Sequence, residues 1–127
     1  MNKLLVAILM LMGPALVGAQ QPGFTRKMLQ DQTLSVPGRH VVQAVAEFTP
    51  GAAAGRHTHP GEEIGYVLEG TLELQIDGEA PRTLKAGDSF FVPAGKIHDG
   101  KNVGSGAAKV LATYVVEIGK PVGSPAK

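Results

Sequence analysis

His57, His59, Glu63 and His98 hold three of the chain's four histidines and a carboxylate, set at fixed spacings among glycines and prolines. Imidazole nitrogen and carboxylate oxygen are donors to divalent transition metals, and four such groups converging would bind one ion. His57 and His59 are two residues apart, so on an extended segment both side chains leave the same face. Glu63 follows across Pro60-Gly61, a turn able to bring its carboxylate back toward the imidazoles. His98 must arrive from another strand. The donor set suits Fe(II), Mn(II), Ni(II), Co(II) or Zn(II) and does not choose among them. Three imidazoles and one carboxylate fill four positions of an octahedron and leave two open to water, dioxygen or a bidentate substrate. A structural zinc site is usually closed and often uses cysteine, and this chain has none. Open positions favour chemistry or reversible ligand binding.

Strands are the elements that must position these donors. Val41, Val42, Ala44, Val45, Ala46 and Phe48 form a β-rich stretch ended by Pro50-Gly51. Leu72, Leu74 and Ile76 alternate with Thr71, Glu73, Gln75 and Asp77, the period-two sign of a half-buried strand. Asp77-Gly78 is a hairpin-turn dipeptide, and Pro81 implies a longer loop. Ser89 to Val92 reads as a short strand stopped by Pro93-Ala94-Gly95, and Val110 to Glu117 as another. No stretch shows sustained helical periodicity with caps. Short strands between Gly and Pro turns predict an all-β sandwich or barrel. Gly70, Gly87 and Gly95 sit where the chain must turn sharply.

The two stretches that carry the donors resemble the paired motifs of the cupin superfamily. Gly51, His57, His59, Glu63 and Gly70 match G-x5-H-x-H-x3-E-x6-G. Gly87, Pro93, Gly95, His98 and Asn102 match G-x5-P-x-G-x2-H-x3-N. The resemblance implies a double-stranded β-helix, or jelly-roll barrel, over residues 40–118. It assigns His57, His59, Glu63 and His98 as ligands of one divalent metal meeting inside the barrel. It also implies a homodimer, formed by packing a sheet face or by swapping an N-terminal strand, with residues 20–39 as that arm.

Residues 1–19 have the layout of a secretory signal peptide: Lys3, the apolar run Leu4–Met12, and the small-residue site Val17-Gly18-Ala19. The run is too short to span a bilayer, which takes about 20 apolar residues. A periplasmic or secreted protein, with no membrane association after cleavage, is the expectation. Residues 20–33 and 119–127 are polar or rich in Pro and Gly and read as an arm and a C-terminal tail. A net charge of +1 excludes a strongly basic nucleic-acid-binding or membrane-surface protein.

Other residues carry smaller expectations. Glu62 should point away from Glu63 as a surface carboxylate, and Arg56 should be a solvated charge at the rim. Tyr66, Phe90, Phe91 and Tyr114 are candidates for pocket lining or core. His40 lies outside both motifs and is expected to ligate nothing. Asp99 is a candidate acceptor for a ligand imidazole, and Asn102 is expected to fix a turn. Basic residues are scarce near the motifs, which argues against a phosphorylated substrate. The functional expectation is a metal-binding protein acting on a small organic molecule, by dioxygenase-like oxidation in which Glu63 doubles as base. The alternatives are a metal-dependent lyase or isomerase, and a non-catalytic module for a small ligand or metal.

Overall fold

The computed structural model describes residues 21–127, so the expected signal peptide, residues 1–19, lies outside the described residues. Among them the chain forms strands and turns without a helix. The strands are β1 (Phe24–Thr33), β2 (Arg39–Phe48), β3 (His57–Thr58), β4 (Gly61–Glu69), β5 (Thr71–Ile76), β6 (Arg82–Lys85), β7 (Ser89–Val92), β8 (His98–Asn102), β9 (Ala108–Glu117) and β10 (Ser124–Pro125). They build two five-stranded sheets, β1-β2-β9-β4-β7 and β10-β3-β8-β5-β6. Every pairing is antiparallel. The sheets face one another as a jelly roll.

Strict alternation places the core. In β9, Ala108, Val110, Ala112, Tyr114 and Val116 are buried while the residues between them are not. β5 does the same from the other sheet with Leu72, Leu74 and Ile76. Ala108, Val110, Leu72, Leu74 and Ile76 meet Phe24, Phe48, Val67, Leu84, Phe90 and Val92 in one apolar cluster. A second cluster, Val42, Ala44, Ala112, Tyr114 and Val116, lies on the β2–β9 side. Burial of such side chains stabilises by roughly 1.5–3 kcal/mol each.

β4 reverses the usual pattern. Its inward residues are Gly61, Glu63, Gly65 and Val67, and its outward residues include Ile64, Tyr66 and Leu68. Gly65 has no side chain because the Phe90 ring from the neighbouring β7 occupies the space a Cβ would need. Gly61 is excluded from growth by the Val115 carbonyl. The strand is therefore apolar on the outside and, on the inside, closely approached by Phe90 and the Val115 main chain on either side of its one buried carboxylate.

Asn102 sits at the end of β8, 1% exposed. Its amide donates to the carbonyls of Phe48 at 3.1 Å and Gly106 at 2.8 Å, and its side-chain oxygen accepts from Gly104 N–H at 2.9 Å. It fixes the turn into β9, as its position in the motif implied. Gly70 makes the tight β4–β5 turn with φ of +80°, and a Cβ there would also strike the Ala107 carbonyl.

The segment read as an N-terminal arm is an edge strand. β1 pairs with β2 along nearly its whole length, from Phe24 opposite Phe48 to Thr33 opposite His40. Its polarity reflects position: beyond Phe24 and Arg26 every side chain of β1 is exposed, so no burial pattern marks it. The C-terminal tail is likewise drawn in, β10 pairing with β3 through Ser124–Thr58 and Pro125–His57.

Candidate metal centre

The four predicted donors arrive from three strands and one turn. His57 opens β3 and pairs directly with His98, which opens β8. His59 follows β3 in the turn before β4, and Glu63 points inward from β4 opposite Tyr114 of β9. One donor atom from each lies within 4.8 Å of every other. Glu63 Oε2 is 3.0 Å from His59 Nε2 and 2.9 Å from His98 Nε2. Ligand bonds of about 2.1 Å put neighbouring donors of a six-coordinate ion about 3.0 Å apart and opposite ones about 4.2 Å apart. The cluster already has close to that spacing.

Each imidazole is aimed by a main-chain carbonyl on its other nitrogen. His57 Nδ1 faces Gly55 O at 2.6 Å, His59 Nδ1 faces Val122 O at 2.6 Å, and His98 Nδ1 faces Lys96 O at 2.9 Å. A carbonyl oxygen only accepts, so all three Nδ1 atoms carry protons and donate. In the neutral rings the Nε2 lone pairs then point into the cluster. His59 Nε2 is buried with no aligned hydrogen-bond partner. Converging lone pairs, a carboxylate and an orphaned buried nitrogen fit a divalent cation, which would satisfy them together.

The electrostatics agree. Burial holds His57 down at about 4, helped by its imidazole neighbours and by Arg26 and opposed by the Gly55 carbonyl. His57 is thus a neutral ligand at neutral pH. Burial alone would raise the Glu63 carboxyl, yet the imidazoles of His59 and His98 beside it hold it at about 2. Burial also lowers His98, but its bonds to Glu63 and the Lys96 carbonyl outweigh this and leave it raised. Without metal, a proton on His98 does part of what a cation would do. Burial pushes the Tyr114 phenol well up, so it remains a neutral donor beside His59, the ring centroids 4.6 Å apart.

A small cavity reaches the cluster, lined by His57, Glu63, His98, Tyr114, Phe90 and Arg26 among others. It offers about 30 Å³ to the centres of water-sized groups, room for about two waters. A larger cavity of about 360 Å³ lies outside it, walled by Gln21, Arg56 and Gly123–Ala126. Phe24, Arg26, Ala54 and His57 border both.

The remaining candidates divide clearly. Phe90 and Tyr114 line the inner cavity, while Tyr66 and Phe91 point outward, 46% and 53% exposed. Arg56 is exposed at the rim but is not a lone solvated charge: it holds Asp77 through two bonds of 2.8 Å. His40 is bound to Asp31 at 2.7 Å, away from the cluster. Asp99 makes no bond to a ligand imidazole; one of its oxygens is buried without a partner. Glu62 lies on the outer face of β4, opposite Val115.

Two participants had no signal in the sequence. Arg26 comes from the edge strand β1, and the Val122 carbonyl comes from the tail. A charge on a polar edge segment reads as solvated, and a main-chain carbonyl has no residue type to read.

Comparison with known proteins gives one family match, the cupin domain, over residues 44–114. A germin-like protein (subfamily 2 member 2) of Arabidopsis thaliana is 35% identical over 108 residues, covering 81% of this chain and 45% of that protein. Dimethylsulfoniopropionate lyase DddQ of Ruegeria pomeroyi is 45% identical over 42 residues, 33% of this chain and 21% of that one. Among solved structures, an oxalate oxidase in complex with the substrate analogue glycolate superposes with a TM-score of 0.66 at 27% identity, covering 80% of this chain and 54% of that one. The chain spans about half the length of the first curated relatives it matches.

Proposed function

The chain belongs to the cupin family, and from that premise we propose that it holds one divalent transition metal through His57, His59, Glu63 and His98 and oxidises a small organic molecule there. The observation that carries the reading is the convergence of four buried or half-buried donors on one point, with a cavity reaching three of them. The likeness to an oxalate oxidase supports oxidation. When bound, the ion supplies Lewis acidity and, if it is iron or manganese, a route for electrons to dioxygen.

The protein's own groups have definite parts. The three carbonyl-anchored imidazoles hold their donor nitrogens in place before anything binds, so little reorganisation is needed. Phe24, Phe48, Leu72, Leu74, Phe90 and Val110 give the inner cavity an apolar wall. Tyr114 keeps its proton and offers a hydroxyl donor beside His59. Glu63 accepts a proton from the substrate. In the metal-free protein Glu63 Oε2 is bonded to His98 Nε2 and lies 3.0 Å from His59 Nε2; with that oxygen turned to a cation, the other carboxylate oxygen would serve this role.

A Lewis-acid lyase would use the same residues, and the stretch resembling a lyase supports it as the second reading. The test is elemental analysis of protein purified without added metal, beside a His98→Ala control. Close to one iron, manganese or nickel per chain, lost in the control and accompanied by oxygen uptake on an organic substrate, is the expected result. Zinc without oxygen uptake moves the reading to the lyase, and no metal in either protein sinks both.

We further propose a homodimer through the outer face of the β1-β2-β9-β4-β7 sheet. Ile64, Tyr66 and Phe91 are about half exposed there, and the ladder sets them beside Leu111 and Thr113 of β9 and Val45 of β2. A patch spanning four strands is what a second copy would cover.

A further inference from the structure

Arg26 is the one guanidinium that enters the inner cavity, and no carboxylate among the described residues lies within ion-pair distance of it. Arg56, at the outer cavity, is already engaged by Asp77. Arg26 is placed with care. β1 sets it opposite Ala46 in the ladder, and its guanidinium stacks 5.0 Å from the Phe24 ring and 5.9 Å from the Tyr114 ring. These contacts set the group where it lines both cavities, a position we call the neck. Its Nε–H is buried with no acceptor. A cation fixed on aromatic faces, only partly solvated and without a counter-charge is costly unless something negative arrives.

The charge of the loaded site sharpens this. A divalent ion, three neutral imidazoles and the Glu63 carboxylate leave one net positive charge, and Arg26 adds a second. Among the nearby carboxylates, Asp77 is taken by Arg56, and Asp99 forms no ion pair with Arg26. A neutral substrate would leave both charges facing each other across a small apolar-walled cavity, where repulsion is poorly screened. An anion removes the conflict.

We propose that the substrate is a small carboxylate, its carboxylate held by the Arg26 guanidinium at the neck and its reacting end in the inner cavity beside the donor cluster. This rests on the metal-centre reading and names the class of molecule that centre acts on. A planar carboxylate matches the guanidinium fork. The inner cavity admits an end of about two heavy atoms, which suits a hydroxyl, keto or second carboxylate group one carbon away. Larger acids would leave their tails in the outer cavity. Arg26 is in this sense a residue that sets specificity.

The test uses the protein loaded with Mn(II) without oxygen and titrated calorimetrically with glycolate, with its uncharged amide glycolamide, and with inorganic phosphate. Metal content is measured in the same samples. Glycolate should bind more tightly than glycolamide. Arg26→Gln should weaken glycolate by about 10- to 100-fold and leave glycolamide unchanged. Arg26→Lys should keep part of the difference. A merely structural Arg26 would weaken both probes alike. Equal affinity for the acid and its amide, preference for phosphate, or indifference to Arg26→Gln would each overturn the proposal while the metal centre stands. Should Arg26→Gln fail to fold, the acid–amide difference in the wild type and in Arg26→Lys decides. Wild-type protein that holds no metal overturns the metal reading and this one together.

Discussion

Every imidazole in the cluster is held by a carbonyl two residues away or by the chain's far end, and this makes tautomer and direction a property of the backbone. Gly55 O and Lys96 O serve His57 and His98, and Val122 O serves His59. The pH response of the metal-free protein follows from these groups. His57 is held at about 4 when folded and rises to roughly 6.5 when unfolded. Its contribution is therefore fully present above 6.5 and is lost as pH falls toward 4, because only the unfolded chain takes up the proton. The raised His98 acts in the opposite sense, its contribution full below 6.5 and fading as pH rises through its folded value. Glu63, near 2 when folded, loses its contribution as pH falls from about 4.3 toward 2. Thermal melts in a chelator should show a falling midpoint from pH 6.5 to 4, shallower in a His57→Gln variant. A midpoint independent of pH over that window would contradict the burial of a neutral His57.

At the scale of elements, the C-terminal segment does more than close the chain. Val122 O fixes His59, Gly123 lies against the His59 ring, and the Ala126 amide donates to the Arg56 carbonyl at 3.0 Å. β10 thus braces the strand that carries His57. Removing residues 120–127 should leave the two-sheet fold in place and weaken metal binding by about 10- to 100-fold, the usual scale for losing the group that orients a ligand. Circular dichroism and a competitive metal titration check this. Unchanged affinity would mean that the tail is passive. β4 shows the opposite bargain, giving up inward apolar side chains at Gly61, Gly65 and Glu63 for a carboxylate and for the close approach of Phe90 and the Val115 carbonyl.

For the whole molecule, the proposed assembly rests on the outer face of the β1-β2-β9-β4-β7 sheet. Exposed Ile64, Tyr66 and Phe91 form an apolar patch that a second copy would remove from water at roughly 25 cal/mol per Å². Light scattering should give a dimer mass for the wild type and a monomer mass for a Tyr66→Lys, Phe91→Lys double variant, with metal content unchanged because neither side chain reaches the site. A wild-type monomer at micromolar concentration would remove the dimer. Sheet order also explains how distant residues meet: β4 lies between β9 and β7, so Glu63 is flanked by Tyr114 and Val92 although long stretches of chain separate them.

Much of the fold was legible from local pattern. Alternation in 71–76 and the apolar runs at 89–92 and 110–117 predicted β5, β7 and β9 almost to the residue. The donors were legible because metal ligation restricts residue type so severely that spacing alone is informative. β4 was not, since its inward positions are glycines and a glutamate, and β1 was not, since an edge strand buries too little to leave a period. The sequence by itself determined the all-β class and the four donors, because side-chain alternation and ligand chemistry are written in residue types. Only the tertiary structure decided that Arg26 borders the cavity, that Val122 aims His59 and that Tyr66 and Phe91 face outward, because these depend on which strands become neighbours.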